Sequence, residues 1–275
     1  MEKPFEMKKI VIMGATSGIG LRVAERLAQM GWLVGAAGRK EEALADLKNR
    51  FPDNVITARI DVTRAGAPKE LLKLIGEMEG MDVYFHIAGI GYENTGLNLR
   101  DELTTMETNV VGFTRMMVTA YRYFRDTGTS GQIAAITSVA GTNGIGRLAS
   151  YSSSKKFQQT YMRALNQLAT IDGVNVRFTD IRPGWIRTPL LDPMEEYPMT
   201  MRLPYAVPKV LKALRSRKRV AVIDWRWNLL VGLWRLIPNA LWVKMPVQVS
   251  TKTASPVQEE ANAIEAVADP AVAAK

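Results

Sequence analysis

Tyr151 and Lys155 stand four residues apart in Tyr151-Ser152-Ser153-Ser154-Lys155, and Ser138 lies thirteen residues before the tyrosine, closing the apolar run Ile133-Ala134-Ala135-Ile136-Thr137. If Tyr151 opens a helix, that spacing puts the phenol and the ammonium on one face, where the cation favours the phenolate. A free tyrosine, with a pKa of about 10, is a poor acid or base at neutral pH; beside a fixed positive charge it becomes a usable proton donor and acceptor. The same two residues also make an ordinary surface pair on a helix. What raises the chemical reading above the ordinary one is a serine at a strand end together with a glycine-rich turn near the N-terminus.

That turn is Gly14-Ala15-Thr16-Ser17-Gly18-Ile19-Gly20. It follows the strand-like Lys9-Ile10-Val11-Ile12-Met13 and precedes a helical pattern carried by Leu21, Val23, Ala24, Leu27 and Ala28. A strand feeding a glycine turn that opens a helix suits a pyrophosphate, because backbone N–H groups and the helix N-terminus face the anion. Glycine lets the phosphate approach and the helix pack closely. Other chemistries are poorly supplied: the absence of cysteine removes disulfides and thiolate metal sites, and a single histidine, His86, makes a His-rich metal centre or a Ser/His/Asp triad implausible.

Apolar strand-like runs at about 9–13, 32–37, 54–60, 82–88, 132–138 and 174–181 alternate with helical patterns at about 19–30, 40–50, 66–78, 100–125 and 151–171. This alternation predicts an α/β fold: a doubly wound parallel sheet with helices on both faces and ligands at the carboxyl ends of the strands. A helix at about 205–217 and a strand at Val220-Ala221-Val222-Ile223 complete it. With 275 residues, 47% of them hydrophobic, the chain has material for one domain, here drawn as residues 1–248, followed by an Ala/Val/Glu-rich tail, 249–275, expected to be disordered. Met1 to Lys9 is short and polar and has no signal-peptide pattern, so a cytoplasmic location is expected.

In this order and spacing the chain resembles the short-chain dehydrogenase/reductase family over about residues 8 to 190. The resemblance rests on the glycine turn, on Asp61-Val62 after the third strand, Ala88-Gly89 after the fourth and Asn109 in a helix. It rests equally on Ser138, Tyr151 and Lys155, and on Pro183-Gly184 followed by Thr188. It implies a single-domain Rossmann-type fold and hydride transfer between a nicotinamide and a carbonyl or secondary alcohol. Tyr151 would protonate the ketone oxygen or deprotonate the alcohol; Lys155 would lower the tyrosine pKa and bind the nicotinamide ribose hydroxyls. Ser138 would fix the substrate oxygen, and Asn109 would hold the helix backbone and a water linking Lys155 to solvent. Gly14, Thr16, Ser17, Gly18, Ile19 and Gly20 would surround the cofactor phosphates, Asp61 and Val62 would meet the adenine, and Ala88 and Gly89 the adenosine ribose. Ile186 and Thr188, following Pro183-Gly184, would contact the carboxamide. His86 departs from the family's usual asparagine and is read as a strand-end histidine bonding nearby backbone. The proline-rich 189–203 would form a lid whose methionines and Tyr197 make an adaptable apolar wall. A homodimer or tetramer is expected.

Arg39 bears on the choice of cofactor. An NAD site usually ends its second strand with an acid that bonds the ribose 2′-hydroxyl, whereas Ala36-Ala37-Gly38-Arg39-Lys40 offers two cations and no acid. NADP(H) is therefore favoured over NAD(H), unless Arg39 and Lys40 merely face solvent at a helix start.

The net charge of +9 is concentrated. From Arg202 to Lys252 there are eleven Lys or Arg against one acid, Asp224, and four of the six tryptophans, Trp225, Trp227, Trp234 and Trp242, fall in the same stretch. In the segment 225–245, Trp227, Leu230, Val231, Trp234 and Ile237 recur at helical spacing with Arg226, Arg235 and Lys244 nearby. Two readings stay open: a helix that covers the core and the substrate pocket, or one that lies in a membrane interface, where tryptophans and cations are favoured. A transmembrane span is excluded by length and by Pro238. Nucleic-acid binding is disfavoured, since tryptophan at helical spacing suits burial better than base stacking. The sequence thus points to a reductase or dehydrogenase for a bulky hydrophobic ketone or alcohol, such as a steroid or lipid-derived ketone. A 3-oxo-lipid or 3-oxoacyl reductase at the membrane surface is one variant, and a non-catalytic NADP-binding regulator is the alternative from another class.

Overall fold

The computed structural model describes residues 8–191 and 196–247. The tail from 249 onward and residues 192–195 of the expected lid lie outside the described residues.

Seven strands form one parallel sheet: β1 (Lys9–Met13), β2 (Leu33–Gly38), β3 (Val55–Arg59), β4 (Val83–His86), β5 (Gly131–Ile136), β6 (Val176–Pro183) and β7 (Val220–Ile223), in the spatial order β3-β2-β1-β4-β5-β6-β7. β4 and β5 are buried along their whole length, which is why they read as near-continuous apolar runs instead of alternating ones. The order reverses direction between β1 and β4, and the crevice at that switch point is where a doubly wound sheet takes its ligand.

Helices cover both faces. On one face α1 (Gly18–Gln29), α2 (Glu41–Arg50) and α7 (Leu203–Arg215) bury Val23, Leu27, Leu44, Leu47, Val207 and Val210 against Ile10, Val34 and Ala134. On the other, α3 (Ala67–Glu77), α5 (Phe113–Thr127) and α6 (Ala149–Ile171) bury Leu71, Leu74, Phe113, Met116, Phe124 and Met162 against Val11, Tyr84 and Ile133. Each of these large side chains contributes about 1.5–3 kcal/mol by leaving water.

The helix expected over 100–125 is not continuous. It comprises α4 (Leu99–Met106), a π turn (Glu107–Gly112) and α5. Asn98 caps α4 by accepting from the amides of Arg100 and Asp101. Close packing accompanies the π turn, for a Cβ at Gly112 would stand 2.8 Å from Cγ2 of Val62. Asn109 sits in this turn, fully buried. After β7, Asp224 caps α8 (Trp225–Trp234) by accepting from the amide of Arg226, and a short α9 (Asn239–Trp242) follows. Among the described residues no helix is long and apolar enough to cross a membrane.

Candidate active site

A cavity of about 390 Å³ opens at the carboxyl ends of the strands. The glycine turn forms one wall. Gly14 has φ +102°, and a Cβ there would stand 2.6 Å from the Ala88 amide nitrogen; Gly18 has φ +53°, and a Cβ there would stand 3.3 Å from the Thr188 side chain. A Cβ on Gly20 would overlap the carbonyl of Gly14, so this glycine lets α1 lie against the turn and does not itself reach the cavity. Ser17, extended at the N-cap, makes no capping bond. The first amides of α1 therefore meet the cavity wall at Ser17, Gly18 and Ile19 without a side-chain acceptor. Thr16 packs against Gly38, where a Cβ would stand 2.6 Å from its methyl group.

Further along the cavity, Arg39 is exposed and forms no ion pair among the described residues. Asp61 accepts from the Thr63 hydroxyl at 2.8 Å and its amide at 3.0 Å. Burial opposes ionisation of Asp61, but the two Thr63 bonds, with Arg39 and Arg64, outweigh it and hold the carboxyl below its usual range. Val62, Ala88, Gly89, Pro183, Gly184, Ile186 and Thr188 also line the cavity, so only Gly20 and Asn109 of the sequence-derived site residues stand behind its wall.

Ser138, Tyr151 and Lys155 meet in this cavity. Ser138 follows β5, and its hydroxyl accepts from the Ala140 amide at 3.1 Å and lies near enough to Tyr151 to favour the phenolate. Tyr151 and Lys155 lie in the first two turns of α6, with the ammonium 5.6 Å from the centre of the phenol ring. The Lys155 ammonium donates to the Ile136 carbonyl at 3.4 Å and to Oε1 of Gln158 at 3.1 Å. Burial lowers its pKa to about 8, against the opposing pull of the Asp180 carboxylate. The phenol behaves differently from the sequence expectation: burial pushes Tyr151 above its ordinary value, and the influence that opposes this is the nearby Ser138 hydroxyl. At this depth desolvation outweighs a cation that is not in contact with the phenol oxygen.

Instead of the helix backbone expected, the Asn109 side chain bonds the loop backbone of Ile90 across the cavity wall: its Oδ1 accepts from the Ile90 amide at 3.0 Å, and its Nδ2 donates to the Ile90 carbonyl at 2.7 Å and to Ser154 Oγ at 3.1 Å. His86 is buried against Phe113, ring centres 5.0 Å apart, with Nδ1 bonded to the Tyr84 hydroxyl at 2.9 Å. Burial and then the Lys155 charge push its pKa down to about 3, so the imidazole is neutral.

Several side chains of this site carry no sequence motif. Gln159 donates to the Ser138 carbonyl at 2.7 Å, and Gln158 to that of Asn109 at 2.9 Å. Behind them Asp180 accepts from Thr137 at 2.6 Å and from Arg182 at 2.7 Å, a buried polar cluster at the ends of β5 and β6. Their only signal was polarity inside otherwise apolar patterns.

The remaining wall is aromatic. Trp185 and Tyr197 pack with centroids 4.7 Å apart, and Trp227, Leu230 and Trp234 of α8 complete the lining. Trp234 in turn meets Trp242 at 5.6 Å, and the Trp242 indole donates to the Gly144 carbonyl at 2.7 Å. The inward face of the tryptophan-rich segment is therefore a cover for core and cavity. Its other face is bare: Trp225, Leu229 and Leu233 are 71%, 62% and 54% exposed, with Leu236 just beyond at 78%.

A parallel doubly wound sheet with a glycine turn at its switch point, and a serine, tyrosine and lysine in one cavity, defines an NAD(P)-dependent oxidoreductase. The chain belongs to the short-chain dehydrogenases: the family described as short chain dehydrogenase matches residues 8–198. It is 30% identical over 247 residues to an uncharacterised oxidoreductase of Mycobacterium tuberculosis, covering 85% of this chain and 95% of that one. It is 31% identical over 181 residues to an NADP-dependent 3-hydroxy acid dehydrogenase of Escherichia coli, covering 64% and 72%. A crystal structure of a short chain dehydrogenase from Burkholderia cenocepacia in complex with NADP superposes with a TM-score of 0.75 at 20% identity, covering 88% of this chain and 99% of that one.

Proposed function

We propose that this protein interconverts a hydrophobic ketone and its secondary alcohol with NADP(H). The observation that carries the reading is the meeting of Ser138, Tyr151 and a buried Lys155 in one cavity that also holds Trp185, Tyr197, Trp227 and Trp234. The residues fit a dinucleotide: the turn at Gly14 has no room for a side chain, and a Cβ at Gly89 would stand 3.3 Å from the Lys155 nitrogen, so the wall there is bare backbone. When bound, the dinucleotide supplies or accepts the hydride.

The chain's own residues do the rest. Ser138 donates a hydrogen bond to the substrate oxygen and holds it within reach of the Tyr151 hydroxyl. Tyr151, kept protonated by burial, gives its proton to that oxygen as charge develops, and takes it back in the oxidative direction. Lys155 presents a positive charge that favours the resulting phenolate, and its ammonium would hydrogen-bond the ribose of a bound dinucleotide. Arg39, exposed at the cavity rim and without an acid at the end of β2, favours a 2′-phosphate and hence NADP(H) over NAD(H). The names of the Escherichia coli relative and the Burkholderia complex support the same cofactor.

The aromatic wall favours a bulky substrate, a steroid-like or lipid-derived ketone, because flat apolar rings remove such a molecule from water. The bare outer stripe Trp225, Leu229, Leu233 and Leu236, flanked by Arg226 and Arg235, favours a peripheral membrane contact at an anionic surface, with the cavity lined by the opposite face of the same helix. Apolar side chains exposed along α4, the π turn and α6, among them Leu103, Val111 and Ile171, suit a homo-oligomer.

A panel of small and bulky ketones is assayed by loss of NADPH absorbance for the wild type and Tyr151→Phe. Turnover of bulky ketones by the wild type, lost in Tyr151→Phe while NADPH still quenches tryptophan fluorescence, is the expected result. NADPH binding with no turnover of any ketone or alcohol would instead identify a binding protein. Liposome co-sedimentation with anionic vesicles, comparing wild type with Leu229→Ser/Leu233→Ser, tests the membrane contact; equal pelleting of both removes it.

A further inference from the structure

Gln158 lies three residues after Lys155 on α6 and is completely buried. Its Oε1 accepts from the Lys155 ammonium at 3.1 Å, and its Nε2 donates to the main-chain carbonyl of Asn109 at 2.9 Å. Only this orientation of the amide matches donors to acceptors, since an ammonium has nothing but donors and a carbonyl nothing but an acceptor. A buried amide bonded at one end alone would be costly, so the two bonds hold each other in place.

We propose that Gln158 is a positioning residue for Lys155, its amide standing between the ammonium and the Asn109 carbonyl in the place where a water leading to solvent was expected. The proposal rests on the ketone–alcohol reading and deepens it. An ammonium has three N–H donors in tetrahedral array. One is held by the Ile136 carbonyl and one by Gln158, which leaves the third for the cavity side, where Gly89 keeps the approach open. A primary amide neither gains nor loses a proton near neutral pH, so the Lys155-to-Asn109 path holds the cation without carrying protons. Proton exchange of Lys155 and Tyr151 then goes through the cavity itself.

The neutral acceptor also favours the charged form of Lys155 against desolvation. The titratable groups facing this ammonium are Tyr151 on its own helix, His86 from β4, which is neutral, and Asp180 from β6, which is bound to Arg182; the π turn contributes the neutral Asn109.

The test follows the Lys155 side chain directly, in protein carrying lysine labelled with carbon-13 at Cε, without added cofactor. Its resonance is assigned by its loss in Lys155→Arg. The wild-type Lys155 midpoint is expected near pH 8. In Gln158→Leu, which removes the acceptor, the midpoint moves down by about one pH unit; in Gln158→Glu, which replaces it with a carboxylate, it moves up by about one unit or more. The alkaline limb of kcat for ketone reduction moves in the same two directions, while KM for the ketone stays within about twofold. A purely structural role would lower thermal stability in both variants and leave both midpoints in place, and that result, or two shifts in one direction, overturns the proposal. If Gln158→Leu does not fold, the isosteric Gln158→Glu decides alone: an upward shift supports the assignment and no shift removes it. Failure of the wild type to turn over any ketone would overturn the functional reading, while the resonance still decides the role of Gln158.

Discussion

The indole of Trp227 fills the space that a side chain at position 184 would need, because a Cβ on Gly184 would overlap its Nε1 and Cε2. Gly184 directly follows β6, and Trp227 belongs to α8, beyond β7. The glycine therefore serves two purposes at once: it leaves backbone at the cavity wall and it seats the helix that covers the substrate side. Gly184→Ala should push α8 outward, lower stability by about 1–3 kcal/mol and reduce kcat/KM for bulky ketones more than for small ones. Urea denaturation and a two-substrate comparison measure this. Adding Trp227→Phe, which makes room, should restore part of the stability, a coupling that independent sites would not show.

Ser138 lines the cavity beside Tyr151, where the proposed reaction places the substrate oxygen. Ser138→Ala should lower kcat by about 10²–10³-fold and leave the Kd for NADPH unchanged. Because the hydroxyl also accepts from the Ala140 amide, stability should fall by about 1 kcal/mol. Steady-state kinetics and a fluorescence titration with NADPH separate the two effects; an unchanged kcat would remove Ser138 from the reaction.

Arg39 offers its charge at the cavity rim with no ion-pair partner among the described residues. A hydrogen bond to a charged group contributes about 1.5–3 kcal/mol, so Arg39→Asp should weaken NADPH by roughly 10–150-fold and favour NADH. The ratio of kcat/KM for the two cofactors is the readout. Similar use of both cofactors by wild type and variant alike would show that Arg39 merely faces solvent.

His86 ties stability to acid. Its pKa is about 3 in the fold and about 6.5 in an unfolded chain, so the unfolded state binds more protons between these values and stability is lost as pH falls from 6.5 toward 3. At pH 4.5 this amounts to on the order of 3 kcal/mol. His86→Asn, which does not titrate, should show a shallower decline than wild type when urea midpoints are compared at pH 7 and pH 4.5. Parallel declines would show that the imidazole is not held neutral.

Much of the sheet was readable because its signals are local. β1, β7 and the helix at Tyr151 fall where periodicity predicts, and the remaining ends shift by a few residues, as frayed ends do. The interruption of the helix at Glu107–Gly112 was not readable, because a π turn leaves the apolar period nearly intact and is fixed by what packs on it, here Val62 against Gly112. Nor could the sequence set the charge balance of Tyr151, since spacing supplies a lysine on the same face but not the depth at which burial overrides it.

The sequence by itself determined the parallel α/β architecture, the strand–glycine–helix turn, and the placement of Tyr151 and Lys155 on one helix face. Each of these depends on residues within a few positions of one another, where steric limits and helical period act directly. Only the tertiary structure decided that Gln158 joins Lys155 to Asn109, that Asp180, Arg182 and Thr137 form a buried cluster behind them, and that one face of the tryptophan-rich helix closes the cavity while the other stays bare. These depend on strand register and on contacts between elements far apart in the chain, where a polar side chain takes its meaning from the partner that folding brings to it.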